Sequence, residues 1–172
     1  IELSAQTVHS GYQMCQNRQH IFTDADCNVY STIVIGSQEW LGENLNTTKY
    51  CNGDDIPNVS DNYGWGNLTT GAYCDYNNDP SYSLTYGKLY NWYAVNDSRN
   101  ICPCDWHVPT DAEWLVLTDY LGGTSMAGGV LKEAGTLHWT PQNTGANNNS
   151  GFTALPGGLR TENSFAFGSG HG

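Results

Sequence analysis

Six cysteines carry the most definite chemistry in this 172-residue sequence: Cys15, Cys27, Cys51, Cys74, Cys102 and Cys104. An even set without a C-x-x-C pair reads as a disulfide framework, because zinc ribbons and thioredoxin-type sites need that short spacing. All six are expected to be oxidised. Cys15 pairs most simply with nearby Cys27. Cys51, Cys74, Cys102 and Cys104 are expected to bridge among themselves with connectivity open, and neighbours two apart across Pro103 favour separate partners.

Oxygen and nitrogen donors point less sharply. Asp24-Ala-Asp26-Cys-Asn28 opens like a calcium loop, but Val29 and Ile35 stand where an EF-hand needs glycine and glutamate. Asp75, Asn77, Asn78 and Asp79 could offer hard oxygen ligands from one loop, so calcium is the cofactor to consider there, weighed against the ordinary use of Asn and Asp in turns. His107, in Trp106-His-Val-Pro109, has no Ser or Cys nucleophile and no carboxylate pair tied to it by local sequence, which favours a structural hydrogen-bonding role. His9, His20, His138 and His171 show no metal-ligand spacing. No catalytic residue is assigned, and the chain is expected to bind rather than catalyse.

Binding chemistry rests on rings. Six Trp, eleven Tyr and four Phe make aromatics 12% of the chain, and Tyr63, Trp65, Tyr73, Tyr76, Tyr82 and Trp139 lie among turn-forming residues. Loop aromatics of this kind stack on sugar rings or pack into a neighbouring subunit. Lys and Arg number 6 against 17 Asp and Glu, a formal charge of −11, which repels nucleic acid and anionic membranes. Charged residues are only 13%, so solubility depends on neutral Asn, Thr, Ser and Gly. Asn46, Asn58, Asn67, Asn96 and Asn148 open N-x-[ST] glycosylation patterns. No stretch is long and apolar enough for a membrane-spanning helix, and Ile1-Glu-Leu-Ser lacks the features of a signal peptide, as a mature exported chain would.

The elements that must position these residues are short. Tyr30 to Ile35 and Gln38 to Leu41 flank Gly36-Ser37 and read as a β-hairpin with a Gly-first turn. Residues 44–83 are a long ordered loop region rich in turn residues. Leu89, Trp92 and Tyr93 fall on one side at helical spacing, a buried stripe of a short helix. Thr110-Asp-Ala-Glu113 is a capping box that starts a helix at Asp111, continued by Trp114, Leu117 and Leu121 and stopped by Gly122-Gly123. A third short helix spans Ala127 to Glu133, and Phe152 to Leu155 reads as a strand entering the turn Pro156-Gly-Gly158. Residues 1–23, which carry Cys15, read as an N-terminal arm, and residues 24–172 as one domain.

Several motifs in this order carry a resemblance: Ile35-Gly-x-Gln-x-Trp40-Leu-x-Glu-Asn-Leu45, Asn67-Leu-Thr-Thr-Gly-Ala-Tyr-Cys74, Tyr86-Gly-x-Leu-Tyr-Asn-Trp-Tyr-Ala-Val95, Cys102-Pro-x-x-Trp-His-Val-Pro-Thr-Asp-Ala-Glu-Trp114 and Gly151-Phe-Thr-Ala-Leu-Pro-Gly-Gly158. From about Asp24 to Arg160 the chain resembles the Fibrobacter succinogenes major paralogous domain family. It departs from that family at Cys27, Cys51 and Cys104 and in lacking the family's C-terminal motifs, a final cysteine-bearing strand among them. The resemblance implies an α+β, C-type-lectin-like fold with short helices on a small, mostly antiparallel sheet and long disulfide-tied loops. It also implies an exported, cell-surface protein.

The calcium-dependent sugar motif of C-type lectins is not carried over, because Ile56-Pro57-Asn58 and Val95-Asn96-Asp97 stand in place of its loop and strand. Two functions follow as expectations: an adhesin-like module for glycan or protein, or a self-assembling subunit of a surface filament or layer. A formylglycine-generating-enzyme-like oxidase is the alternative, and the C-terminal part of the chain lacks that enzyme's working cysteines. The loss of family pattern after Arg160 leads to the expectation of an open sheet edge completed by another copy, with the N-terminal arm as donor strand.

Overall fold

Where the sequence alternates most cleanly, the chain forms its longest ladder. In a computed structural model that describes residues 22–166, β1 (Phe22–Thr23) pairs with β2 (Val29–Tyr30), and β3 (Thr32–Ile35) with β4 (Gln38–Leu41). Ile33 faces Trp40 and Ile35 faces Gln38 across the second hairpin, as expected from the sequence. Gly36 takes φ +63° in its two-residue turn, a conformation a side chain would strain.

The remaining elements follow in order. They are α1 (Asn62–Gly66), β5 (Tyr73–Cys74), two 3₁₀ turns (Tyr76–Asn78 and Pro80–Tyr82), α2 (Ser83–Tyr86), β6 (Leu89–Tyr90), α3 (Trp92–Val95), α4 (Asp111–Tyr120), α5 (Thr124–Leu131), β7 (Leu159–Arg160) and β8 (Phe165–Ala166). The fold is α+β. Its strands form four separate antiparallel pairs, β1 with β2, β3 with β4, β5 with β6 and β7 with β8, where one small sheet was expected. Strands of two residues between turn-rich segments are too short to recruit further neighbours. The expected strand at Phe152–Leu155 reduces to a single parallel bridge between Ala154 and Lys132.

Helix α4 starts where the capping box places it. The Glu113 N–H donates to Thr110 Oγ1 at 3.3 Å while Glu113 Oε2 accepts from the Thr110 N–H at 2.8 Å. Leu117 is fully buried on this helix, whereas Trp114, expected in the same stripe, is exposed at its edge with its ring 4.8 Å from Trp40. Apolar residues gather in two clusters. One is Tyr50, Ile56, Ala94, Ile101 and Cys102; the other is Ile35, Trp40, Leu117 and Leu131.

Beside the clusters the loops are stitched by carboxylates. Buried Asp24 accepts from the N–H groups of Asp26 and Asn28, from the Asn28 side chain and from the Tyr30 hydroxyl at 2.6 Å. Burial, then the bond to Asp24, pushes the Tyr30 hydroxyl far above the ordinary tyrosine range, so it stays protonated. Asp26 accepts from the N–H and hydroxyl of Thr48. The sequence that mimics a calcium loop is thus a turn that fastens residues 46–48 to the first hairpin. Asp97 and Asp54 both take Arg99, whose guanidinium lies 4.0 Å from the Tyr50 ring, beside the Cys51–Cys104 disulfide.

The cap of α4 titrates. The Thr110 N–H, then its hydroxyl, then His107, hold Glu113 down from 4.5 to about 2. A carboxyl lowered in the folded state stabilises fully above its ordinary value and loses that contribution as pH falls through the folded one. Circular dichroism should therefore show the helical signal constant down to pH 4.5 and declining toward pH 2, and Glu113→Gln should flatten that acid limb. Thr110→Ala should cost about 1 kcal/mol in urea unfolding at neutral pH.

Candidate functional site

One open concavity among the described residues begins at one carboxamide. Asn91 Oδ1 accepts from the N–H of Ala94 at 2.9 Å and of Ala72 at 3.0 Å, and Nδ2 donates to the Thr70 carbonyl at 2.9 Å. This caps α3, a single turn, and fixes its rotation. Ala94 goes into the core, where even its Cα leaves only 3.1 Å for a Cβ built on Gly71. Trp92 and Tyr93 therefore face outward, 68% and 45% exposed. The sequence reading buried both rings with Leu89. A one-turn helix has no repeat to enforce that stripe, and the small residue took the inner position.

The opposite wall joins α1 to the β7–β8 hairpin through Arg160. Its guanidinium lies 4.4 Å from the Trp65 ring and 4.9 Å from Phe165, and donates to the carbonyls of Val59 and Ser60 at 2.6 and 2.8 Å and to Asn62 Oδ1 at 3.3 Å. Asn62 Nδ2 donates to the Asn163 carbonyl at 2.8 Å. Gly66 sits so close that an added Cβ would lie 3.3 Å from that of Glu162. Between the walls lies a shallow, open cleft of about 700 Å³ lined by Trp65, Trp92, Tyr93, Glu162 and Asn163, with Leu68 and Tyr90. Glu162 is exposed and has no ion pair among the described residues.

Of the six loop aromatics singled out from the sequence, Trp65 lines this cleft and Tyr63 is exposed on the same short helix α1. The other four do not join them. Tyr73 packs against the first cluster under Lys88, and Tyr76 is buried against Tyr82 and Phe165. Trp139 donates to the Ala154 carbonyl with Lys132 over its ring. Trp92, Tyr93 and Glu162 were missed. The usable signal was the Asn91 cap beside the small Ala94, which orients a one-turn helix. A second cleft, of about 350 Å³, lies between Tyr30, Asn44, Asn46, Leu84 and Phe152.

The calcium quartet does not converge. Asp75 is buried, 6% exposed in its side chain, and paired with Lys88 at 2.9 Å, 12% exposed, while the Ser83 hydroxyl donates to the same oxygen. Asp79 accepts from the Ser81 N–H, and Asn78 donates to the Ser60 carbonyl. Asn77 and Asn78 take positive φ, the turn-forming use of this residue. His107 holds Glu113 at 2.8 Å, a structural hydrogen bond. Among the glycosylation candidates, Asn58, Asn67 and Asn96 are exposed, Asn46 is half-buried, and Asn148 is half-buried with its side chain bonded to Thr153.

The cysteines divide. Cys51 bridges Cys104, and Cys27 is disulfide-bonded, while Cys15, its expected partner, lies outside the described residues. Cys74 and Cys102 correct the expectation of full oxidation, for both are buried free thiols. They sit in different surroundings, Cys74 in β5 near Arg160 and Cys102 in the first core cluster. Burial raises both thiols, Cys102 to about 11, so neither offers a thiolate at neutral pH.

Residues 33–171 match the family model of the Fibrobacter succinogenes major domain. The chain belongs to that family. The match runs past Arg160, where the motif reading ended it, and takes in β8, which pairs with β7. No curated protein and no solved structure matches the chain. In this Fibrobacter succinogenes major domain the donor arm expected at residues 1–23 lies almost wholly outside the described residues, Phe22–Thr23 forming β1.

Two outcomes follow for this family member. Lys88→Met strands the buried Asp75 carboxylate and should destabilise the domain by about 3 kcal/mol, read as a lower urea midpoint with unchanged slope. Thiol labelling of unreduced protein should modify nothing in the native state, and Cys74 and Cys102 once denatured.

Proposed function

We propose that this domain is a non-catalytic binding module of an exported, cell-surface protein, and that its ligand is a glycan held in the cleft between Trp65 and Trp92. The outward Trp92 ring carries the reading. An indole held two-thirds exposed beside a second tryptophan and a tyrosine offers flat apolar area at small entropic cost. The C–H faces of sugar rings match such area, and Glu162 and Asn163 at the rim supply hydrogen-bonding groups for hydroxyls.

Binding is favoured over hydrolysis because glycosidases work with paired carboxylates, and Glu162 is the single acid lining the cleft. An oxidase of the formylglycine-generating type is disfavoured because the free thiols are buried and protonated. The Cys51–Cys104 disulfide supports an oxidising, extracellular setting. Short helices around antiparallel strand pairs, with long tied loops, support the C-type-lectin-like arrangement that the family resemblance implies.

A subunit of a surface filament or layer is the second reading. Helix α4 favours it, since Trp114, Leu115, Val116 and Tyr120 are all exposed and Leu117 alone is buried. Exposed apolar side chains in this number on one short helix mark candidate protein contacts.

Glycan arrays probed with the wild-type protein should give discrete hits. Trp92→Ala should lower them about tenfold or more, the loss of one buried aromatic anchor. Trp139→Phe, outside the cleft, should leave them unchanged. An array without hits, together with regular oligomers in electron microscopy that Val116→Glu disperses, would reverse the order of the two readings.

A further inference from the structure

The charge of the cleft narrows the class of glycan. Five cations fall among the described residues, and none is free to meet an anionic ligand there. Lys49, Lys88 and Arg99 are in ion pairs with aspartates, and Lys132 lies over the Trp139 ring. Arg160 lines the cleft, but its terminal nitrogens are bound to Val59, Ser60 and Asn62 and its Nε is buried. What remains exposed at the rim is the Glu162 carboxylate, which has no cation of its own among the described residues. The chain around it carries a formal −11.

A lone carboxylate beside exposed indole and phenol faces is a receptor for an ammonium group. Ring faces attract cations through their quadrupole, tryptophan most strongly. Trp65 already receives one cation, the Arg160 guanidinium at 4.4 Å. Trp92, by contrast, has no guanidinium or ammonium over its face among the described residues.

We propose that the cleft selects oligosaccharides of amino sugars with free amines, the ammonium held by Glu162 and the Trp92 face, and rejects acidic sugars. This rests on the glycan reading of the same cleft. The Asn163 carboxamide at the rim suits the hydroxyls of a sugar chain, which favours an oligosaccharide over a lysine-rich peptide bearing the same charge.

Calorimetry with the full chain separates the possibilities, using four probes: a glucosamine hexamer, the N-acetylglucosamine hexamer with the same linkage, an oligogalacturonate and hexalysine. At moderate salt, which screens the general acidity of the surface, the glucosamine hexamer should bind about fivefold tighter than its acetylated twin. The galacturonate should not bind. Glu162→Gln should bring the two hexamers to equal affinity, and Trp92→Ala should weaken both.

Equal affinities in the wild type, or a preference that survives Glu162→Gln, overturns the amine selection and leaves the glycan reading standing. Binding of no oligosaccharide sinks both. Hexalysine binding as tightly as the glucosamine hexamer, with the same loss in Glu162→Gln, reassigns the cleft to a cationic peptide. Both substituted residues are exposed, and unchanged thermal midpoints would tie any loss of binding to the cleft.

Discussion

Strands of two residues leave most of a backbone without ladder partners, and a buried N–H or C=O without one destabilises by an amount comparable to a lost hydrogen bond. That constraint shapes the whole domain. Polar side chains take the place of neighbouring strands: Asn91 gathers Ala72, Ala94 and Thr70, Asp24 gathers the turn that follows it, and Arg160 gathers two carbonyls from residues 59–60. Such latches are local and directional, so each holds its segment at a fixed rotation, where apolar packing alone would allow sliding. The abundance of Asn, Thr and Ser in this chain is therefore structural as much as solubilising.

Two small apolar clusters, rather than one, then suffice. Each is organised around a large ring, Tyr50 in one and Trp40 in the other. The buried pair of Lys88 with Asp75 lies beside β5 and β6, and the Arg99 network with the Cys51–Cys104 disulfide closes the loop around residues 51–54 against 97–104. A bridge that spans 53 residues of sequence constrains the unfolded chain more than any single latch does, on the loop-entropy account of disulfide stabilisation.

Features written in adjacent residues were legible from sequence. The Gly36 hairpin, the capping box at Thr110 and the stop at Gly122-Gly123 all appear as read, because each signal and its consequence lie within one turn. The third helix starts three residues and ends two residues earlier than read, at Thr124–Leu131. Features that depend on distant chain were not legible. Arg160 meets carbonyls about a hundred residues away, and nothing beside it in sequence announces that. The thiols of Cys74 and Cys102 were read as bridged from parity, and parity carries no information about which sulfurs meet. As for the cleft, Trp65 was found as a loop aromatic, while Trp92 was assigned to the core because helical spacing was extended over a segment too short to obey it.

The cleft walls come from three stretches far apart in the chain, at residues 62–66, 92–95 and 159–166, and most of the side chains they display take no part in fastening them. Asn91 and Ala94 anchor one, Asn62 another, Arg160 the third, while Trp92, Tyr93, Glu162 and the Asn163 side chain make none of those fastening bonds. Anchoring and display are thus separable in the sequence. Exchanges at the displayed positions carry little penalty for folding, so a gene copy can drift toward a new ligand one wall at a time without first becoming unstable.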